Sequence, residues 1–213
     1  MTIINNYHNI KKIVETSSKN TKIIIVTKNF NIDKFDILIK EGHKDFGENK
    51  VQETILKWSD VLKKHTSINL HLLGHLQYNK VKDAVKIFNY IHSLDSEKLA
   101  YKFMIEQNKA NKRLKYFIQI NVGDEPQKYG INIKDTKDFL NFCINKAKLQ
   151  VIGLMCIPPV NKDPSFYFSQ LKELAFSNNL NQLSMGMTND YTEAIRNGST
   201  YVRIGTGIFG QRL

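Results

Sequence analysis

Short strand-like runs alternate with helix-like segments along the whole chain, and this alternation constrains the fold more than any other feature. The clearest run, 22–27, is a continuous apolar and β-branched segment, which is typical of a parallel strand buried on both faces. Most runs lead into a turn that contains Gly, Pro or Asn, and strands that alternate with helices favour a parallel sheet. Eight strands are predicted, at residues 22–27, 44–46, 68–73, 89–92, 114–121, 150–155, 181–184 and 201–204.

The number of strand–helix units predicts how the sheet is arranged. Eight units with no residues left over for another domain favour a closed (β/α)8 TIM-type barrel over an open doubly wound sheet. The chain has 213 residues, near the lower end for such a barrel, so we expect one domain over residues 1–213. No GxGxxG motif follows the first strand and no Walker motif occurs, so the usual signatures of nucleotide-binding sheets are absent from the sequence.

Charge and hydropathy narrow the classes of partner. The formal net charge is +11, from 31 Lys and Arg against 20 Asp and Glu. The basic residues are scattered without a long basic run or an aromatic-interleaved motif, so we expect a lysine-rich surface and no nucleic-acid partner. The N-terminus lacks the apolar core of a signal peptide, and no run approaches the roughly 20 apolar residues of a membrane span. We therefore expect a cytoplasmic protein without a membrane partner.

Two cysteines, Cys143 and Cys156, lie in apolar segments and are expected to be buried and reduced. Neither they nor the six histidines show a metal-binding spacing such as HExxH. The sequence therefore predicts no metal site.

The last thirty residues contain the strongest candidate for a ligand site. The last predicted strand runs into Gly205-Thr206-Gly207, where two glycines allow backbone N–H groups to approach a ligand and Thr206 adds a hydroxyl group. Ser184 and Gly186 are expected to form a second lip on the neighbouring strand. Phosphate sites of (β/α)8 barrels commonly follow strands seven and eight. The alternative interpretation is that the Gly-Thr-Gly segment is an ordinary turn and that Ser184 is a cap rather than a ligand.

Lys28 follows the most buried predicted strand. Partial removal from water favours the neutral, nucleophilic amine, which makes this lysine a candidate for a Schiff base with an aldehyde. The alternative is that its stem merely extends out of the barrel mouth into solvent. Opposite a phosphate cup, such a lysine suggests an aldehyde that carries a phosphate, for which pyridoxal 5'-phosphate (PLP) is the obvious example.

Five segments of this sequence, in the same order, resemble the pyridoxal-phosphate homeostasis protein family. That family is a single-domain barrel similar to the N-terminal domain of bacterial alanine racemase. The resemblance covers residues 22–212 and implies cytosolic PLP carriage and vitamin B6 balance, without an established catalytic turnover. The segments are VTK, HKDFGENKVQE, HLLGHLQYNKVK, VIGLMCIPP and LSMGMTNDYTEAI with GSTYVRIGTGIFGQR.

The resemblance also implies roles for individual residues. Lys28 would hold PLP covalently as an internal aldimine, and Arg203 would face the pyridine nitrogen. Asn49 would line the ring side of the site and Met155 would pack near the cofactor. Lys128 matches a second family lysine, which is expected to help PLP transfer. Residues expected to hold the phosphate are Ser184, Gly186, Gly205 and Thr206.

An arginine at the pyridine nitrogen has a chemical consequence. Arg203 donates hydrogen bonds and stays charged, so it does not keep that nitrogen protonated as a carboxylate would, and the cofactor is a weaker electron sink. The chain also has no residues for the second domain that alanine racemases carry. We therefore expect little or no turnover and no catalytic residues. We also expect a monomer that delivers PLP to PLP-dependent client enzymes in transient encounters.

Two enzyme classes remain as alternatives. One is a small PLP-dependent amino-acid racemase or lyase, which a measured turnover with an amino acid would favour. The other is a barrel enzyme that uses Lys28 on a sugar phosphate, as aldolases do. That class requires acid–base carboxylates at the strand ends, and the predicted mouth has few of them.

Overall fold

A computed structural model describes residues 2–211, and their eight strands form a closed, all-parallel barrel in chain order. Closure is direct, because the first strand pairs with both the second and the last, placing Ile24 beside Arg203. The strands are β1 Lys22–Val26, β2 Asp45–Glu48, β3 Asn69–Leu72, β4 Tyr90–Leu94, β5 Lys115–Ile120, β6 Gln150–Cys156, β7 Gln182–Met187 and β8 Tyr201–Ile204.

Helices connect the strands and cover the outside of the barrel. They are α1 Ile3–Ser17, α2 Asp36–Lys40, α3 Val51–Lys64, α4 Val81–Ile87, α5 Glu97–Ala110, α6 Thr136–Asn141, α7 Pro164–Ser177, α8 Tyr191–Arg196 and α9 Thr206–Phe209. Three of these connections begin with a 3-10 turn, at Ile32–Lys34, Tyr78–Lys80 and Ile133–Asp135, and α6 continues as a π turn at Phe142–Lys146. None of the helices within residues 2–211 is both long and apolar enough to cross a bilayer.

The hydrophobic core has two parts. The larger part lies between the strands and the helices and includes the fully buried Trp58 and Phe46, whose rings are 5.0 Å apart. The smaller part fills the barrel interior with Ile24, Phe117 and Tyr201, together with Tyr90 and Met155. The interior is therefore packed rather than hollow, and the polar side chains within it are held by specific partners.

The structure confirms the predicted barrel and all eight predicted strands, with their bounds shifted by up to three residues. The sequence predicts a helix over residues 93–108, but α5 begins at Glu97, because β4 continues to Leu94 and every one of its residues is buried. Strand β7 extends to Met187, beyond its predicted end at residue 184. Pairing with neighbouring strands overrides the weak strand preference of glycine there.

One predicted local feature is wrong. In the sequence, Asp190 lies three residues before Glu193, a spacing that predicts a capping box for the helix after β7. The Asp190 side chain makes no capping bond to α8 and accepts a hydrogen bond from the backbone N–H of Met187 instead. Glu193 accepts hydrogen bonds from Arg196 and Asn197. The aspartate therefore closes the turn between strand and helix.

Candidate functional site

Lys28 lies in the turn immediately after β1, at the carboxyl end of the barrel, and its side chain is half-buried. The next residue, Asn29, has a positive φ of 64°, a conformation that asparagine tolerates better than most residues. This left-handed residue turns the chain sharply away from the strand. Active sites of α/β barrels are built at this end of the strands.

Arg203 lies inside the barrel on β8 and is 5% exposed. Its Nη1 donates to the Ser184 hydroxyl at 2.8 Å, and its Nη2 donates to the Cys156 carbonyl at 2.9 Å. Burial lowers the pKa of the guanidinium, although the Cys156 thiol and Asp190 act in the opposite direction. Among residues 2–211, no carboxylate forms an ion pair with Arg203. Its two hydrogen-bond acceptors are neutral oxygens.

A chain of buried polar side chains leads from Arg203 across the barrel interior. Ser184 Oγ lies 2.8 Å from His92 Nδ1, and His92 Nε2 lies 2.9 Å from His71 Nδ1. His71 Nε2 lies 3.0 Å from Asp45 Oδ1. Contacts therefore connect β8, β7, β4, β3 and β2, which no single segment of the sequence could indicate.

The carboxylate at the end of this chain determines the direction of every hydrogen bond in it. Asp45 can only accept, so His71 carries its proton on Nε2 and accepts at Nδ1. His92 then donates from Nε2 and accepts at Nδ1 from the Ser184 hydroxyl. Ser184 thus donates to His92 while accepting from Arg203. All four hydrogen bonds run in one direction, from the guanidinium cation to the carboxylate anion.

The titration of the two histidines fits neutral rings. Burial lowers the pKa of His71, although Asp45 acts to raise it. The pKa of His92 lies well below its usual value, because burial disfavours its charged form and the electrostatic influence of neighbouring His71 and Arg203 acts in the same direction. Burial alone would raise the pKa of Asp45, but the hydrogen bond from His71 and the electrostatic attraction between the two groups lower it overall.

The glycine-rich turn after β8 is closed by a residue that sequence reasoning missed. Thr206 Oγ1 donates to Thr188 Oγ1 at 3.2 Å, and the backbone N–H of Gly207 donates to the same oxygen at 3.1 Å. Thr188 lies just beyond β7, in the segment where the second lip was expected, so its hydroxyl type and its position were available as signals. The structure brings the two turns together.

Ser184 and Gly186 both lie within β7, the strand that pairs with β8. The Ser184 side chain is fully buried, and its hydroxyl is engaged by His92 and Arg203. Gly186 has a φ of 89°, and a Cβ there would lie 2.5 Å from the Cβ of Ala194. The close packing of α8 on β7 therefore requires a glycine at this position.

Met155 and Asn49 occupy different environments. Met155 is 1% exposed and belongs to the interior layer formed with Phe117 and Tyr201. Asn49 follows β2 at the barrel mouth and is half-buried. A Cβ on Gly74 would lie 2.5 Å from the Asn49 carbonyl oxygen, so the loops after β2 and β3 are in close contact.

Lys128 lies in the long loop after β5 with its ammonium group in defined contacts. It forms an ion pair with Glu125 at 2.6 Å and a hydrogen bond to the Pro158 carbonyl at 3.3 Å. The neighbouring Tyr129 ring stacks on His75, with the ring centroids 3.7 Å apart. These contacts connect the loop after β5 with those after β3 and β6.

Comparison with known proteins gives a consistent result over the whole chain. The family model described as the N-terminal domain of alanine racemase matches residues 4–213. The pyridoxal phosphate homeostasis protein of Synechocystis sp. is 34% identical over 211 residues, which cover 95% of this chain and 96% of that protein. The protein of the same name from Haemophilus influenzae is 35% identical over 230 residues, covering 100% and 97%.

Solved structures agree with this match. PipY of Synechococcus elongatus PCC7942, with PLP bound, superposes with a TM-score of 0.87 at 29% identity and covers 98% of this chain and 100% of that one. An alanine racemase of Clostridium difficile 630 has a TM-score of 0.79 at 13% identity, covering 99% of this chain and 57% of that one. At that identity the likeness shows a shared barrel fold.

Proposed function

This chain belongs to the pyridoxal phosphate homeostasis protein family, and from that membership and the site geometry we propose that it binds PLP and acts in intracellular PLP and vitamin B6 homeostasis. Lys28 condenses with the aldehyde of PLP, with loss of one water molecule, and holds it as a Schiff base. The protein carries PLP as a monomer, releases it to client enzymes and has little turnover of its own.

The observation that carries this proposal is the placement of a buried arginine between the turn of Lys28 and the turn closed by Thr188. Arg203 pairs with Ile24 across β1 and β8, and both strands end in these turns. A guanidinium without a carboxylate partner among residues 2–211 suits a neutral acceptor such as a pyridine nitrogen. Hydroxyl and backbone N–H donors converge at Thr188, which suits a phosphate. The residues present therefore fit PLP.

The geometry supports a revised set of phosphate-binding residues. We assign the phosphate to the Gly205 and Thr206 turn together with Thr188, whose oxygen lies within hydrogen-bond distance of both Thr206 and Gly207. Ser184 supports the site differently, since its hydroxyl orients Arg203. Gly186 supports it by allowing α8 to pack on β7 beside the turn.

The chain of hydrogen bonds behind Arg203 favours a carrier over a catalyst. When bound, PLP supplies an electrophilic aldehyde conjugated to a pyridine ring. Arg203 donates toward that ring while its own charge is supported, through Ser184 and the histidines, by Asp45. A donor of this kind leaves the ring nitrogen unprotonated, so carbanionic chemistry gains little stabilisation.

Asn49 and Met155 complete the proposed site. Asn49 lines the mouth beside the ring. Met155 lies in the interior layer and provides an apolar base below it. The open mouth allows the amino group of a client enzyme to reach the carbon held by Lys28.

The test is reductive trapping. Purified protein is incubated with PLP, its absorption spectrum is recorded, and borohydride reduction is followed by peptide mass mapping. We expect the phosphopyridoxyl group on Lys28, and loss of the visible absorption band in Lys28→Ala. The matched control is Lys22→Ala, a lysine at the opposite end of the same strand.

Two results would contradict this proposal. A wild-type protein without label on Lys28 would remove the Schiff-base assignment. Racemisation of amino acids at rates typical of enzymes, on the order of 1 per second or faster, would instead make the protein a PLP-dependent racemase.

A further inference from the structure

The turn that carries Lys28 is held from behind by a second lysine. Lys57, on α3, has a side chain that is 9% exposed. Its ammonium group donates to the Thr27 carbonyl at 2.8 Å, to Glu48 Oε1 at 2.9 Å and to Glu53 Oε1 at 3.3 Å. An ammonium group has three N–H donors, so these three acceptors use all of them.

Both neighbours of Lys28 are held by the carboxylates of this group. The Thr27 hydroxyl donates to Glu48 Oε1 at 2.7 Å, and the backbone N–H of Asn29 donates to Glu53 Oε1 at 2.9 Å. Burial acts to raise the pKa of Glu53, but the Asn29 N–H and the charge of Lys57 lower it overall. Residues on both sides of Lys28 are therefore fixed by hydrogen bonds to charged groups.

Glu48 is fully buried at the end of β2 and makes contacts besides its ion pair with Lys57. Its Oε1 also accepts from the indole N–H of Trp58 at 2.9 Å. Its Oε2 is buried and has no hydrogen-bond partner within the described chain. Burying a carboxylate with one oxygen unpartnered costs desolvation free energy. Replacing a buried ion pair by apolar side chains is often neutral for stability or stabilising. Net stability alone does not account for the cluster.

We propose that Glu48, Glu53 and Lys57 form a positioning cluster that fixes the backbone of Lys28 at the barrel mouth. This inference rests on the proposed role of Lys28 in holding PLP. Charge-assisted hydrogen bonds are short and directional, which suits the precise placement of a turn. Asn29 adopts a left-handed conformation in that turn, and its N–H is oriented by Glu53. Lys57 itself is committed to three acceptors and does not bind the aldehyde.

The experiment compares variants of Glu53 with a matched exposed carboxylate on the same helix. Glu53→Ala removes the acceptor for Asn29, whereas Glu53→Gln keeps an amide oxygen in its place. Asp60→Ala is the control, because Asp60 is also paired with a lysine of α3 but is exposed. The measurements are the rate at which PLP develops the absorption band of the Lys28 adduct, and the fraction of chains trapped there by borohydride.

Glu53→Ala should slow adduct formation on the order of tenfold, as expected from the loss of one hydrogen bond to a charged group. Glu53→Gln should stay within about threefold of wild type, and Asp60→Ala should be unchanged. The double variant Glu48→Gln with Lys57→Met removes both buried charges together; Glu53 loses its ion pair with Lys57 but is partly exposed to water and keeps the hydrogen bond from the Asn29 N–H. The double variant should slow adduct formation as well, while its apo form unfolds cooperatively in urea.

Equal rates for the wild type, Glu53→Ala and the double variant would overturn the positioning role. Slow adduct formation accompanied by loss of cooperative unfolding would also count against it, since the defect would then be structural. If the wild type itself formed no adduct at Lys28, the proposed function would fail instead, so the two failures are distinguishable.

Discussion

Replacing Ser184 by alanine tests the hydrogen-bond chain at its centre. The hydroxyl accepts from the Arg203 guanidinium at 2.8 Å and contacts His92 Nδ1 at 2.8 Å, and both neighbours are buried. Ser184→Ala removes both bonds without adding volume. It leaves a charged donor and an imidazole acceptor without their partner inside the barrel.

The magnitude follows from those two contacts. A hydrogen bond to a charged group contributes about 1.5–3 kcal/mol, and an acceptor left unsatisfied in the interior costs about 1–3 kcal/mol. We therefore expect the free energy of unfolding to fall by about 3–5 kcal/mol, a large share of the roughly 5–15 kcal/mol typical of a folded domain. With a urea dependence of about 2 kcal/mol per molar, the unfolding midpoint falls by about 2 M.

Urea unfolding of the apo protein, followed by circular dichroism, measures this change. The control is Ser177→Ala in the last turn of α7, where the exposed hydroxyl donates to the Leu174 carbonyl. Its effect should be within about 0.5 kcal/mol, as for most surface substitutions. If Ser184→Ala shifted the midpoint no more than this control, the hydrogen-bond chain from Arg203 to Asp45 would be refuted.

Three further predictions concern pH, packing and the phosphate. Burial lowers the pKa of His71 and His92 in the folded state, so below pH ~6.5 the unfolded chain binds more protons than the folded one. The free energy of unfolding is therefore highest above that pH. It decreases as the pH falls, by up to about 1.4 kcal/mol per pH unit for each ring. Urea midpoints that stay constant from pH 7.5 to 5.5 would contradict this. Gly186→Ala should cost about 2–4 kcal/mol in the same assay, because its Cβ would meet that of Ala194 at 2.5 Å and φ is positive. Thr188→Val should weaken PLP binding on the order of tenfold in a fluorescence titration and leave binding of pyridoxal, which lacks the phosphate, nearly unchanged.

The sequence alone was sufficient for the barrel. Eight apolar runs, separated by helical periodicity and by turns, define a parallel sheet whose closure follows from the number of units. The positions of Lys28 and of the Gly205 turn were also readable, because each directly follows a strand. The carboxyl ends of parallel strands meet at one face whatever the details of packing.

The sequence did not indicate which polar side chains point into the barrel interior or which residues they contact there. His71 and His92 lie 21 residues apart, and nothing in either segment indicates that their rings share a hydrogen bond. Their contact depends on the relative register of β3 and β4. The sequence also assigns Ser184 to the phosphate, because a serine two residues before a glycine resembles an anion-binding turn. The direction of its side chain cannot be read from that pattern.

The tertiary structure determines where the Ser184 side chain lies, through the extent of β7 and its pairing with β6 and β8. The strand continues to Met187, so the Ser184 side chain points into the interior toward His92 and Arg203, and Thr188 reaches the Gly207 turn. A period of two residues separates the faces of a strand, and only pairing with the neighbouring strands determines which face points inward. Local sequence thus determined where strands and turns lie, whereas the long-range register decided which polar groups were buried together, because buried donors and acceptors must find partners in space rather than along the chain.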